Sequence, residues 1–111
     1  MSRLDDLLKI EGVVAVGEFT ADGGAGIYKS KIDMPTDMDR ETSQFAALVS
    51  MLYNTLAGAY SMLYKMDWVP QRFWTYSGGD WTVAVGDNTW VFIETAKVDF
   101  NKLYGAFGLC P

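Results

Sequence analysis

Between Asp39 and Met66 the chain reads DRETSQFAALVSMLYNTLAGAYSMLYKM, and from Thr42 through Tyr64 it carries no charged side chain. Spacing successive residues about 100° apart, as in an α-helix, places Phe45, Leu48, Leu52, Leu56, Ala59 and Leu63 on one line. Met51, Met62 and Met66 fall to one side of it, and Tyr53, Tyr60 and Tyr64 to the other. The opposite line is Ser43, Ala47, Ser50, Asn54, Gly58, Ser61 and Lys65. The apolar arc takes in roughly two-thirds of the circumference, whereas a surface helix buries an arc a little over about 100° wide. A single neighbour is therefore too little. The chain's own sheet covers one side, and the other side calls for a partner subunit or lipid.

Working outward, the helix is preceded by Pro35 and by Asp33, Asp37, Asp39 and Glu41, where the macrodipole favours negative charge. Upstream, Ser2 caps a short helix with Leu4, Leu7 and Leu8 on one face, and Gly12 ends it. The segments 13–20 and 26–32 read as two strands of a hairpin joined by Ala21-Asp22-Gly23-Gly24-Ala25. Downstream, the segments 72–77, 81–85 and 89–94 read as a meander turning at Gly78-Gly79-Asp80 and Gly86-Asp87-Asn88. A last helix near Asp99 to Phe107 aligns Phe100, Leu103, Tyr104 and Phe107. The order helix, two strands, long helix, three strands, helix predicts an α+β fold around one mostly antiparallel five-stranded sheet, with residues 1–111 as one domain.

Composition narrows the function. With 111 residues the chain suits one core, burying about 60 to 70% of its unfolded surface. A formal charge of -5 without a basic cluster argues against nucleic acid and anionic membranes. Histidine is absent, removing the commonest general base and transition-metal ligand. The lone Cys110 allows no intrachain disulfide and no zinc cluster. No cofactor or metal site is expected. The start, Met1-Ser2-Arg3-Leu4-Asp5-Asp6, lacks the apolar run of an export signal, so a cytoplasmic location is expected.

Several patterns invite a chemical reading and are better explained otherwise. Asp22-Gly23-Gly24-Ala25-Gly26 leads into a strand rather than a helix, so it reads as a hairpin turn and not a phosphate loop. Asp33, Asp37, Asp39 and Glu41 do not match a calcium loop and read as solvated acids at a helix start. The pairs Asp5 with Asp6 and Asp80 with Asp87 lie where exposed acids are ordinary, so no catalytic residue is assigned. Cys110 reads as a tail thiol. Ser43, Gln44, Ser50, Asn54, Thr55 and Ser61 weigh against a transmembrane segment in the long helix. Alternation places Trp74 and Tyr76 on one sheet face and Phe73 and Thr75 on the other, so these rings cannot share one core. An aromatic patch of Trp74, Tyr76 and Trp81 is the expected partner surface.

The opening Leu4-Asp5-Asp6-Leu7-Leu8-Lys9-Ile10-Glu11-Gly12-Val13-Val14, the hairpin Asp22-Gly23, the uncharged long helix and the closing meander together resemble the roadblock family of dynein-associated light chains. The likeness is to an uncharacterised prokaryotic branch among its GTPase-regulator relatives, and it covers essentially the whole chain in element order. It implies a homodimer whose long helix packs antiparallel on its copy, through Phe45, Leu48, Leu52, Thr55, Leu56, Ala59 and Leu63. The edge strand, with Phe73 and Thr75, would continue the sheet into the partner. The family presents surface to small GTPases and multiprotein complexes and performs no chemistry. The expected function is thus a non-enzymatic scaffold or regulatory domain. The alternative is a small-molecule sensor or carrier, holding an apolar or aromatic ligand between sheet and long helix along the Met and Tyr flanks.

Overall fold

The computed structural model describes residues 3–33, 35–65 and 73–107. The elements follow the order α1 (Arg3–Leu8), β1 (Val13–Phe19), β2 (Ala25–Ser30), α2 (Thr36–Tyr64), β3 (Phe73–Gly78), β4 (Trp81–Gly86), β5 (Thr89–Glu94) and α3 (Phe100–Ala106). All five strands join in one sheet of order β2-β1-β5-β4-β3, and every neighbouring pair is antiparallel. Strands β2 and β3 are its edges. The expected residues 66–72, including Trp68, Pro70 and the Arg72 start of the edge strand, lie outside the described residues, as do Met34 and Cys110.

Turn chemistry explains the local path. Gly12 adopts φ +91°, and a Cβ there would stand 2.8 Å from the Val98 backbone nitrogen, so the exit from α1 needs glycine twice over. Asp87 and Asn88 both have positive φ, 48° and 63°, between the paired Gly86 and Thr89. That is the geometry of a two-residue hairpin whose twist matches the flanking strands, and Asn and Asp tolerate it better than most side chains. At the start of α3, the Asp99 carboxylate accepts from the backbone N–H groups of Asn101 and Lys102. At the end of α2, Lys65 turns left-handed with φ 53°, and its N–H bonds to the Tyr60 carbonyl. The long helix begins at Thr36, behind Pro35, three residues before the expected start.

Each sheet face has its own core. On one face α1 and α3 supply Leu4, Leu7 and Leu103, joined by Phe107 just past α3, to Val13, Val16, Ala84, Val91 and Ile93. On the other, Ala46 and Ala47 of α2 meet Val14, Ala15, Phe19, Val85 and Trp90. Because helices cover both faces of β1, its residues Val13 to Gly17 are all buried, and the sequence shows a run without alternation. At the far end, buried Thr82 is satisfied by the hydroxyls of Ser77 and Thr95, each at 2.7 Å.

The orientation of α2 departs from what periodicity suggests. Its small and polar line faces the sheet: Ser43, Ala46 and Ala47 are buried and Ser50 is half-buried. The sheet supplies the bulk. Trp90 is fully buried and donates its indole N–H to Ser43 Oγ at 3.3 Å, while Trp74 donates to Ser50 Oγ at 2.9 Å. Small helix side chains let two large indoles approach the helix, and two serines seven residues apart satisfy their N–H groups. The more apolar line is thereby turned away from the sheet.

Candidate functional site

Along the outer side of α2, Phe45, Leu48, Leu52 and Leu56 are exposed, with Phe45 at 63% and Leu52 at 56%, and Leu63 follows at 72%. Ala59 is half-buried, and the Thr55 hydroxyl bonds back to the Met51 carbonyl at 3.0 Å, which leaves its methyl as an apolar contribution to this side. Leaving so much contiguous apolar surface in water is unusual, since isolated chains rarely expose patches beyond a few hundred Å². The stretch also passes, by length and composition alone, for a membrane span: the segment Asp37–Leu63 has a window of mean hydropathy 1.2.

The edge strand β3 lies on the same side of the molecule as one flank of α2. Trp74 and Tyr76 project to the α2 face, and Phe73 to the opposite one. Trp74 is half-buried, with Ser50 on its indole nitrogen and Tyr53 edge-on to its ring at 6.0 Å. It therefore joins α2 to the sheet more than it offers free surface. Phe73 packs on Phe107 and Tyr104 of α3 at 5.0 and 5.1 Å, so its side chain belongs to the other core. Thr75 is exposed, Tyr76 is 68% exposed and Trp81 44%. The three aromatic residues read as one patch thus divide into a wedged Trp74 and an open pair, Tyr76 and Trp81.

Among the described residues, a groove lies on each flank of α2. One, of about 560 Å³, runs between the helix and the β3 to β5 part of the sheet, lined by Phe45, Val49, Tyr53, Trp74, Val83 and Phe92 among others. The second, of about 670 Å³, lies on the other flank between Phe19, Met51, Thr55 and the Asp87-Asn88 turn. The first is mostly apolar and aromatic, a lining suited to covering by apolar side chains.

Asp39 overturns an expectation. Read as a solvated acid at the helix start, it is only 4% exposed, and its Oδ1 has no hydrogen-bond partner. Burial pushes its carboxyl above the ordinary carboxylate value, against the weaker pull of hydrogen bonds from Ser43 and Trp90. The sequence signal was its place on the line of Ser43, Ala46 and Ser50, which turns out to be the sheet-facing one. Asp37 and Glu41 are exposed, and Asp37 pairs with Arg40 at 2.8 Å. Asp5, weighed with Asp6 as an acid pair, instead binds Lys29 of β2. Among the described residues no group of three or more His, Cys, Asp or Glu side chains is arranged to hold a metal ion.

Comparison with known proteins now bears on this geometry. Residues 3–108 match the family described as "Uncharacterized conserved protein (DUF2173)". Curated proteins give no match. Among solved structures, the chain is similar to the Roadblock/LC7 domain from Streptomyces avermitilis, with TM-score 0.70 and 13% identity over 96% of this chain and 87% of that one. It is similar also to the gliding protein MglB from Thermus thermophilus, with TM-score 0.63 and 15% identity over 96% of this chain and 82% of that one. A structure described as "MglB with tetrameric arrangement" follows, with TM-score 0.62 and 16% identity over the same shares. At such identities the likeness is one of fold, and the fold is that of the roadblock domains.

Proposed function

We propose that this chain, which belongs to the DUF2173 family and has the roadblock fold, is a non-enzymatic homodimeric scaffold or regulatory domain of the cytoplasm. Residues 1–111 act as one domain, and the dimer presents surface to a protein partner, with a small GTPase or a multiprotein complex as the class of partner. The MglB structures, one of them described as tetrameric, support assembly as the mode of action.

The observation that carries the dimer is the symmetry of the uncovered line on α2. On that line Phe45 with Leu63 and Leu52 with Leu56 are pairs each centred on the level of Asn54. An antiparallel copy crossing at that point would lay Phe45 on the partner's Leu63 and the reverse, so one patch complements itself about a two-fold axis. The edge strand β3, with Thr75 and Tyr76 both exposed, offers a second contact. Pairing β3 with its copy would satisfy edge donors and acceptors that otherwise invite aggregation.

Leu52→Glu tests this cleanly. The side chain is already 56% exposed in the single chain, so the charge costs the protomer little, whereas in a desolvated interface an unpaired charge costs several kcal/mol. The wild type is expected to sediment as a dimer and Leu52→Glu as a folded monomer. A wild-type monomer, or a variant that stays dimeric at wild-type affinity, overturns the reading.

A second reading, a sensor or carrier of an apolar or aromatic ligand, draws on the groove of about 560 Å³ lined by Phe45, Tyr53, Trp74 and Phe92. Native mass spectrometry separates the two: a ligand-free dimer supports the scaffold, and a monomer with a retained small molecule supports the sensor.

A further inference from the structure

We propose that Asp39 is a pH-sensitive latch that holds the N-terminal half of α2 on the sheet more firmly as the solution turns acidic. The latch stands on the protomer's own packing and does not depend on the dimer.

Three buried groups form it. Asp39 lies in the early turns of α2 with Oδ1 unpartnered. Ser43, one turn on, is fully buried and accepts the Trp90 indole N–H at 3.3 Å. Asp39 and Ser43 lie one turn apart on the sheet-facing line of α2, so acid, hydroxyl and indole make one buried cluster between α2 and β5. The Trp90 ring lies directly over Gly17, where a Cβ would overlap it, so the indole is seated closely on β1 beneath the helix.

The surroundings of the cluster offer the ionised acid little. From β2 the neighbouring titratable group is the half-buried Tyr28, while Lys29 is committed to Asp5 and Lys31 is exposed. On β1 the charged residue is Glu18, which is exposed, and on β5 it is Glu94 at the far end, paired with Lys97. From the helix-facing side of β3 and β4 there is only Tyr76, exposed beyond Trp74. On α2 itself Arg40 goes to Asp37, and Glu41 is exposed. A neutral carboxyl with one unpaired oxygen is tolerable in such a place, whereas a carboxylate loses its hydration without a cation to replace it. Ionisation therefore favours states in which this end of α2 lifts from the sheet and lets water reach the acid. The stretch so loosened carries Phe45, and Ala46 and Ala47 of the core, so the charge state of one buried acid sets how well the helix is presented.

The test follows the acid and the helix together in the full chain. The carboxyl carbon of Asp39 is titrated by NMR, and exchange of the Trp90 indole N–H and the Ala46 and Ala47 amides is measured across the same pH range, corrected for intrinsic exchange. The expected result is a midpoint above 3.8, with protection falling at least about tenfold as the pH rises through it. In Asp39→Asn the corrected protection should no longer change with pH. A midpoint at or below 3.8, or protection that does not change at the Asp39 midpoint, overturns the latch. So does an Asp39→Asn protein that keeps the wild-type pH response. Should Asp39→Asn fail to fold, the two wild-type measurements still decide.

Discussion

The Trp90 indole occupies the space that a side chain on Gly17 would need, so that these two residues of adjacent strands interlock as ring and gap. They face each other in the β1 to β5 register, on the side of the sheet that carries α2. Gly17 is thus required by close approach and not by a special backbone angle. Gly17→Ala should destabilise the fold by about 1–3 kcal/mol through overpacking. Trp90→Phe should cost stability too, but the double variant should cost less than the two changes added, because the smaller ring admits the methyl. Urea unfolding of the four proteins measures the cycle.

The centring of the outer α2 line on Asn54 leads to a cross-linking pattern. Cys introduced at Thr55 should form a disulfide across the two-fold axis on oxidation. A mixture of Phe45→Cys and Leu63→Cys chains should give more cross-linked dimer than either variant alone, since antiparallel packing sets those positions opposite each other. Non-reducing electrophoresis reads both. Equal or stronger cross-linking of each single end variant with itself would instead require parallel helices.

The edge strand can be examined through amide exchange. In an antiparallel pair, alternate residues of an edge strand point their N–H groups away from the sheet. If β3 met only β4, slow exchange should appear at every other residue from Phe73 to Ser77. Pairing with a second copy should make slow exchange consecutive through Phe73, Trp74, Thr75 and Tyr76. Thr75→Pro, which removes one N–H, should then weaken the dimer or prevent folding, with a smaller effect from Thr89→Pro at the first residue of β5.

Stability should depend on pH through Asp39 in a defined sense. Its folded carboxyl titrates above the ordinary value of 3.8 because burial disfavours the charge. In the interval between that value and the folded midpoint the folded state binds more protons than the unfolded state, so stability falls as pH rises. The contribution is fully present below 3.8 and is lost once the pH has passed the folded midpoint. Asp39→Asn, close in shape to the neutral acid, should unfold at a higher temperature than wild type near neutral pH and at nearly the same temperature in acid below 3.8. Thermal denaturation under the two conditions checks the sign.

Asp99→Ala should cost about 0.5–2 kcal/mol, the usual value of an N-cap that bonds the first turn. Its carboxylate holds the N–H groups of Asn101 and Lys102, and α3 carries Leu103 and, just beyond, Phe107 into the core beneath Phe73. The loss should appear first as fraying of α3, read by faster exchange at residues 101–103.

The element order and the turns were legible because they depend on residues close in sequence. Strand chemistry in 89–94, the Asp87-Asn88 dipeptide between two strands, and the Phe100, Leu103, Tyr104 and Phe107 spacing each carry a local physical requirement, and the structure places elements there. The long uncharged helix was equally legible, as was its excess of apolar surface. Neither periodicity nor composition could say which line of that helix meets the sheet, because that depends on what the sheet brings to it from strands distant in sequence. Trp90 and Trp74 fill the space between the layers, so the helix presents Ser43, Ala46, Ala47 and Ser50 to them and sends Phe45, Leu52 and Leu63 outward. The same rotation buries Asp39, which the sequence alone assigns to solvent by its place in the first turns. Bulk on one layer calls for small side chains on the other, and only the assembled layers fix which residues those are.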